Sequence, residues 1–298
     1  MILENTQEPI KEEMSSRSSL KASPTAPGAQ KRNACMTFLI ESGAASTNSE
    51  VVLELMSAKQ KSPRKEDAYR PEHVPADGRG GLYVYIASPA KHGPERVIYY
   101  NKDFVAINDL YPKSAIHTLL LPRSAIHTDL HPFDAFEDPE FLASVRSEVQ
   151  KLKVLVAKEL RRKFGKFSAE DAARQSILKG DVELADGDEL PEGRDWLKSV
   201  KAGVHAHPSM HHLHIHIMSI DRMGESLKHR KHYNSFETGF FVPIDDFPLT
   251  ADDRRRHPSK HKYLECDMKC WRCGKNFTNH FKKLQEHLAV EFEEWKKE

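Results

Sequence analysis

Twelve residues, Pro208–Ser219 (PSMHHLHIHIMS), constrain this chain more than any other stretch. His212, His214 and His216 alternate with Leu213, Ile215 and Ile217, the period-two pattern of a half-buried strand. In such a strand the three imidazoles leave one face of a sheet, roughly 7 Å apart along it. Burial of the aliphatic face then presents them at the other surface. His205 and His207 lie just upstream. From spacing alone three readings stay open: a solvated strand face, a metal site of imidazoles, and a catalytic row.

Twelve of the seventeen histidines follow residue 200, which puts the chemistry in the last third of the chain. The net charge of +1 averages an acidic patch near Asp181–Glu192 with basic clusters elsewhere, and local charge is what a nucleic acid feels. Four cysteines in 298 residues do not make a disulfide framework, so a reducing compartment fits better. No run approaches the roughly 20 apolar residues that span a bilayer. The N-terminus, with Glu4, Glu8, Glu12 and Glu13, has no leader pattern. These features predict a soluble intracellular protein.

Residues 1–80 read as a disordered tail and linker, with an apolar island at Cys35–Ile40 and a helix start near Val51–Met56. Lys61–Lys65 reads as a solvated loop before a nuclear-import patch. A folded domain is expected over 81–244. Its predicted strands are Leu82–Ile86, Val97–Tyr100, Phe104–Asn108, Ile116–Leu121, Trp196–Ala206 and Leu213–Ser219. Asp138–Pro139 offers an N-cap and a first-turn proline. Leu142, Val145, Val149, Leu152 and Val156 follow at helical steps until Gly165. A weaker helix covers Ala169–Leu178, and 181–194 reads as an acidic surface insertion. Strands, helix, strands in that order indicate an α+β fold with an antiparallel sheet. No glycine-rich phosphate loop is present.

Residues 245–265, with Arg254, Arg255, Arg256, Lys260 and Lys262, read as a basic linker able to lie along DNA. Cys270-x-x-Cys273 follows, then an amphipathic helix over His280–Trp295 carrying His287 and Glu291 four residues apart on one face. Two thiolates and two ligands from one helical turn form a zinc-finger layout over 266–298. His280 and Cys266 rank as rival ligands, and a redox CxxC is the bland alternative.

His-φ-His-φ-His-φ-φ, which His212–Met218 fits at every position, resembles the signature of the histidine-triad superfamily of nucleotidyl hydrolases and transferases. The wider run GVHAHPSMHHLHIHIMS is similar to the aprataxin branch, whose members remove AMP from adenylated DNA ends. Asp109-x-x-Pro112, with His117, Leu119 and Pro122, resembles that family's second stretch. The likeness covers roughly 82–298, except 165–194, and looks like the shorter fungal arrangement without a forkhead-associated domain. It implies a histidine-triad fold, with His214 attacking phosphorus, His212 holding the tautomer of His214, and His216 donating to phosphate oxygens. His205 would stand near the leaving phosphate, Asp109 at the ribose, and Lys113, Ser209 and Lys228 at phosphates. On their own, Asp109 reads as a turn-former, Lys113 as an ordinary loop lysine and Lys228 as part of a solvated loop. Arg222, Arg230 and Lys231 join Lys228 in a phosphate-tracking surface. His117 is read as structural, and His207 and His211 carry no role.

The resemblance further implies a structural Zn2+ held by Cys270, Cys273, His287 and Glu291, and no metal at the histidine row. The expected partners are nicked or double-stranded DNA with an adenylated 5′ end and AMP as product. The protein is expected to be a monomer of the nucleus, with the cytoplasm as a second location. Two rivals remain at this stage: a dinucleotide or nucleoside-phosphoramidate hydrolase, and a zinc-finger DNA adaptor with an inactive hydrolase domain.

Overall fold

The computed structural model describes residues 78–298. The expectations for residues 1–77, including the tail, the apolar island and the basic patch, lie outside the described residues.

A short helix, α1 (Tyr83–Ala87), opens the described chain and is followed by β1 (Val97–Tyr100), β2 (Phe104–Asn108) and β3 (His117–Pro122). Two helices come next, α2 (Pro132–Ala135) and the long α3 (Pro139–Phe164), then α4 (Ala172–Lys179). The sheet resumes with β4 (Val200–His205) and β5 (Ile215–Ser219), and after α5 (Arg230–Glu237) it ends with β6 (Phe241–Pro243). The strands run antiparallel throughout in the order β1-β2-β3-β5-β4-β6. Two helices complete the chain, α6 (Pro258–His261) and α7 (Phe281–Lys297). No helix among the described residues is long and apolar enough to cross a membrane.

Helix α3 begins where its cap predicts. Asp138 Oδ1 accepts from the backbone N–H groups of Glu140 (3.0 Å) and Phe141 (3.1 Å), satisfying donors that a helix start leaves orphaned. Its stripe of Leu142, Val145, Val149, Leu152 and Val156 is buried against Leu120, Ile215, Ile217 and Val204. Each fully buried aliphatic side chain there contributes about 1.5–3 kcal/mol.

Register decides which residues share the opposite face. Leu119 pairs with His216, and Gly203 pairs with His216 from the other side. Because faces alternate along strands, His117, His205 and His216 all project from one face, and His214, just ahead of β5, stands edge-on to His216 with ring centroids 4.9 Å apart. That face is not a solvated surface. Beyond β3 it is covered by α1, whose Leu82 and Ile86 pack with Val105, Ile107 and Leu121. Beyond β4 it is covered by Phe236 of α5, packed on Met218 and Phe241.

Three elements differ from the sequence expectation. Leu82–Ile86 is helical because a four-residue step buries both Leu82 and Ile86 while Tyr83 stays exposed, and short apolar runs are ambiguous between periods. Trp196–Ser199 is a 3₁₀ turn capped by Asp195, whose Oδ1 accepts from Leu197 N–H at 3.1 Å, so β4 starts only at Val200. His212 precedes β5 rather than lying in it.

The C-terminal module rests on α5. Tyr233 Oη donates to Lys269 O (2.7 Å) and accepts from Trp271 N–H (3.0 Å), while Asn234 Nδ2 donates to Cys266 O (2.6 Å). Leu284 and Leu288 of α7 are buried with Tyr233, Leu227 and Met268. One helix thus carries Phe236 beneath the histidines and Tyr233 beneath the finger. The linker before the finger is pinned rather than free. Arg255 pairs with Asp253 and Asp246, and Arg256 pairs with Glu137 at 2.8 Å. Arg255 and Arg256 are thus engaged within the chain, while Arg254, Lys260 and Lys262 stay exposed.

Candidate active site

A cavity of about 760 Å³ opens over the histidine face, lined on one side by Leu82, Tyr85, Ile107 and Leu119 and on the other by His205, His214, His216 and Phe236. Its walls are apolar at Leu82, Tyr85, Ile107 and Leu119 and polar where β3, β4 and β5 meet.

His214 is buried, and its Nδ1 lies 2.8 Å from the backbone carbonyl of His212. A carbonyl only accepts, so Nδ1 carries the proton and Nε2 keeps its lone pair. The sequence expectation gave the tautomer-holding role to His212, and the main chain performs it. The His212 side chain turns elsewhere, with Nε2 3.6 Å from Asp129 and its ring 5.7 Å from Tyr83. The cause is local: residues 212–214 have left the strand before β5 begins, so strict alternation fails at His212.

His216 is held by a residue read as merely structural. His117 Nε2 lies 2.9 Å from His216 Nδ1, and Lys113 N–H donates to His117 Nδ1 at 3.2 Å. A backbone N–H donates in every protonation state, so His117 carries its proton on Nε2 and gives it to His216 Nδ1. The remaining proton of His216 then sits on Nε2, a buried atom with no protein partner among the described residues. Nε2 of His205 is likewise buried and unpaired, and the two rings stand 4.5 Å apart. The signal for His117 was present: one strand, the same face, and a spacing of two from Leu119, which faces His216.

Asp109 forms the turn that leads into this line. Its Oδ1 accepts from Tyr111 N–H at 2.8 Å, and its Oδ2 stands 3.3 Å from His117 Nδ1. Lys113 Nζ donates to Tyr111 O at the cavity wall. Ser209 is an exposed wall residue whose carbonyl accepts from Arg79 Nε at 2.8 Å. Lys228 is exposed and stays outside the cavity lining, while its neighbour Lys231 lies on it. Gly224 has a packing reason, since an added Cβ would stand 2.3 Å from Pro112 O and 2.5 Å from Lys113 C. The loop after β5 can therefore press on the Lys113 turn.

Arg222 corrects the phosphate-surface expectation. It is 1% exposed, with Nη2 2.6 Å from Glu237, and Nη1 donates to Ser114 Oγ (2.8 Å) and Ser219 O (2.9 Å). It braces the floor of the site and does not face solvent.

Burial depresses the basicity of the whole imidazole group. His117 is pushed down to about 4, chiefly by desolvation and against the pull of Asp109. His205 and His216 are lowered well below the ordinary value by burial, then by repulsion from neighbouring imidazoles. His214 is lowered by burial, opposed by its bond to His212 and by Asp109. All four are neutral at pH 7, the state a nitrogen nucleophile needs. The Lys113 ammonium is lowered by burial too, with Asp109 opposing and Lys228 adding to the shift.

In the finger, one donor atom from each of Cys270, Cys273, His287 and Glu291 lies within 4.8 Å of the others. Cys273 Sγ is 3.1 Å from His287 Nε2, which is 3.2 Å from Glu291 Oε1. A tetrahedral zinc ion holds such donors about 3.4–3.8 Å apart, so the set fits the metal after a small outward shift. Bound there, zinc would cross-link the knuckle to α7. Asp109, His117 and His216 also bring donors within 4.8 Å, but His117 already bonds His216 through Nε2 and accepts from Lys113 N–H at Nδ1.

Comparison with known proteins places these features in a family. Residues 90–223 match the HIT domain and 237–294 match the C2HE / C2H2 / C2HC zinc-binding finger. The chain is 35% identical over 227 residues to an aprataxin-like protein of Schizosaccharomyces pombe, covering 73% of this chain and 82% of that one. It is 34% identical over 220 residues to an aprataxin-like protein of Saccharomyces cerevisiae, covering 72% and 95%. A crystal structure of the aprataxin ortholog Hnt3 in complex with DNA superposes with a TM-score of 0.58 at 34% identity, covering 73% of this chain and 96% of that chain.

Proposed function

The chain belongs to the aprataxin family of histidine-triad hydrolases, and on that footing we infer that it is a DNA-end repair hydrolase removing 5′-linked AMP left by abortive ligation. The observation that carries this reading is the His214 Nδ1–His212 O bond of 2.8 Å, which aims a neutral Nε2 lone pair into the cavity.

Where AMP is joined 5′-to-5′ through a pyrophosphate, the group displaced from the adenylate phosphorus is the DNA 5′-phosphate, already a phosphate monoester, so departure needs little acid assistance. What the reaction needs is a nucleophile at neutral pH and donors for the phosphoryl oxygens. His214 Nε2 attacks the adenylate phosphorus, the P–O bond to the DNA 5′-phosphate breaks, and the electron pair leaves on that phosphate. Water then attacks the adenylyl-imidazole, the N–P bond breaks, and AMP departs with His214 regenerated. His216 Nε2–H supplies a donor to a non-bridging oxygen, and His205 stands on the leaving-group side. Asp109 faces the ribose, and Lys113, Ser209 and Lys228 receive phosphates at the wall and rim.

Adenine fits the apolar end between Leu82, Tyr85, Ile107 and Leu119. The finger and the exposed Lys228, Lys260 and Lys262 extend the site toward a duplex, which a small dinucleotide would not need. A nuclear location suits such a substrate. One chain carries both cavity and finger, so a monomer suffices.

The deciding experiment compares AMP release from a nicked duplex with a 5′-adenylated end against diadenosine polyphosphate, with H214A as control. Faster, salt-sensitive turnover of the DNA that vanishes in H214A supports the reading. Preference for the free dinucleotide overturns it, and so does tight DNA binding without AMP release.

A further inference from the structure

The fourth finger ligand is tied to the catalytic domain by a line of charges. Glu291 Oε2 accepts from Arg272 Nη1 at 2.7 Å, and Arg272 lies between the two ligand thiols in Cys270-Trp271-Arg272-Cys273. The other edge of the same guanidinium donates to Glu298 Oε1, through Nε at 3.0 Å and Nη2 at 2.7 Å. Glu298 Oε2 accepts from Arg194 Nη2 at 2.9 Å. Arg194 belongs to the catalytic domain and is 5% exposed.

Arg194 is the socket for the end of α7. Its guanidinium stands 4.2 Å over the Trp196 ring and 5.0 Å over the Trp295 ring, and Nη1 donates to Trp295 O at 2.6 Å. Asp171 accepts the Arg194 backbone N–H at 3.0 Å and the Trp196 indole N–H at 2.7 Å. Ala169 N–H donates to Lys297 O at 2.9 Å. The terminal carbonyls of α7, which a helix leaves without partners, are thus taken up by residues from 169 to 194. Residues 181–194 read as an acidic surface insertion in the sequence, and Arg194 at their end belongs to an interdomain socket.

The charges explain why this line depends on the metal. Two thiolates and a carboxylate around Zn2+ leave a net charge of about −1, which Arg272 neutralises while fixing the carboxylate's orientation. Arg272 sits on the knuckle, whereas Glu291 and Glu298 sit on α7. The guanidinium reaches both carboxylates only while knuckle and helix are held together, and that is what the metal does. With Glu298 released, Arg194 would be left buried without its carboxylate partner, a costly state. A histidine at position 291 would ligate zinc equally well and give Arg272 nothing to bind.

We propose that Arg272 is a positioning residue of the zinc site, and that the line Glu291–Arg272–Glu298–Arg194 makes metal retention and docking of the finger one cooperative event. The inference stands apart from the adenylate reaction.

The chain's three tryptophans, Trp196, Trp271 and Trp295, all lie in this contact, so intrinsic emission of the full-length protein reports it. Chelating zinc from the wild type should shift emission to the red and speed exchange of the Ala169 and Arg194 amides about tenfold or more. In R272Q all four ligands remain. Zinc affinity, measured against a chromophoric chelator, should fall about tenfold, and both amides should exchange about tenfold faster with zinc bound. E291H should keep zinc yet show the same fast exchange. Wild-type affinity and exchange in R272Q overturn the proposal, as do unchanged emission and exchange after chelation. If R272Q does not fold, E298Q decides, because it replaces neither a knuckle residue nor a ligand: unaltered exchange at Ala169 sinks the idea.

Discussion

His117 Nε2 meets His216 Nδ1 across 2.9 Å, so a residue on β3 sets which nitrogen of a β5 imidazole faces the cavity. Removing His117 removes that choice. H117A should lower kcat on adenylated DNA about 10²-fold, the usual cost of losing one aligned donor to a phosphoryl or acyl oxygen, with KM little changed. Steady-state kinetics beside a thermal melt separates the effect from simple destabilisation. A kcat within twofold of wild type in a folded H117A protein would mean that His216 does not depend on the line.

The depressed imidazole basicities fix the sign of the pH response. In the folded state the buried histidines bind protons less readily than in the unfolded chain, so the unfolded state gains protons first as pH falls. Their neutral state costs no stability above about pH 6.5, and stability is lost as pH drops from there through the folded values. For His117, lowered to about 4, the loss is about 3 kcal/mol once both states are protonated. Denaturation midpoints should fall steadily between about pH 6.5 and 4. The acid limb of kcat/KM, which reports the free enzyme, should lie below the ordinary imidazole value. A limb at or above 6.5 would contradict a buried neutral nucleophile.

Periodicity is why much of this was legible beforehand. The α3 stripe, its Asp138 cap and the β5 alternation each follow from local rules that tertiary packing left intact. What escaped was non-local. The role of His212 passed from side chain to carbonyl because the strand starts two residues later than the pattern suggests. His117 meets His216 only through register with a strand about a hundred positions away. Arg194 was hidden in an acidic stretch because nothing nearby announces the end of a distant helix.

Arg222 and Lys228 occupy one basic run in the sequence but play opposite parts. R222A removes one of two cationic partners of half-buried Glu237, which keeps Lys201 at 3.1 Å, and strands the buried Ser114 and Ser219 acceptors. It should destabilise the fold by about 1–3 kcal/mol, read as a drop in the urea midpoint. K228A alters an exposed side chain and should leave that midpoint unchanged. It should instead reduce the slope of log K against log salt for duplex binding by about 1. Equal stability losses in the two variants would refute this division.

Tyr233 offers the sharpest test of how the finger is carried. Its hydroxyl is both donor to Lys269 O and acceptor from Trp271 N–H, joining α5 to the knuckle at two points. Y233F keeps the ring among Leu284, Leu288 and Met268 but strands a backbone donor and acceptor, which costs about 1–3 kcal/mol. Because Phe236 on the same helix lies under His205 and His216, with ring centroids 4.7 and 5.2 Å away, loosening α5 should reach the site as well. We expect Y233F to lower the denaturation midpoint and to reduce AMP release from nicked duplex more than release from diadenosine polyphosphate. Parallel losses on both substrates would place the effect in the histidine face alone, and would mean that α5 does not transmit finger position to substrate choice.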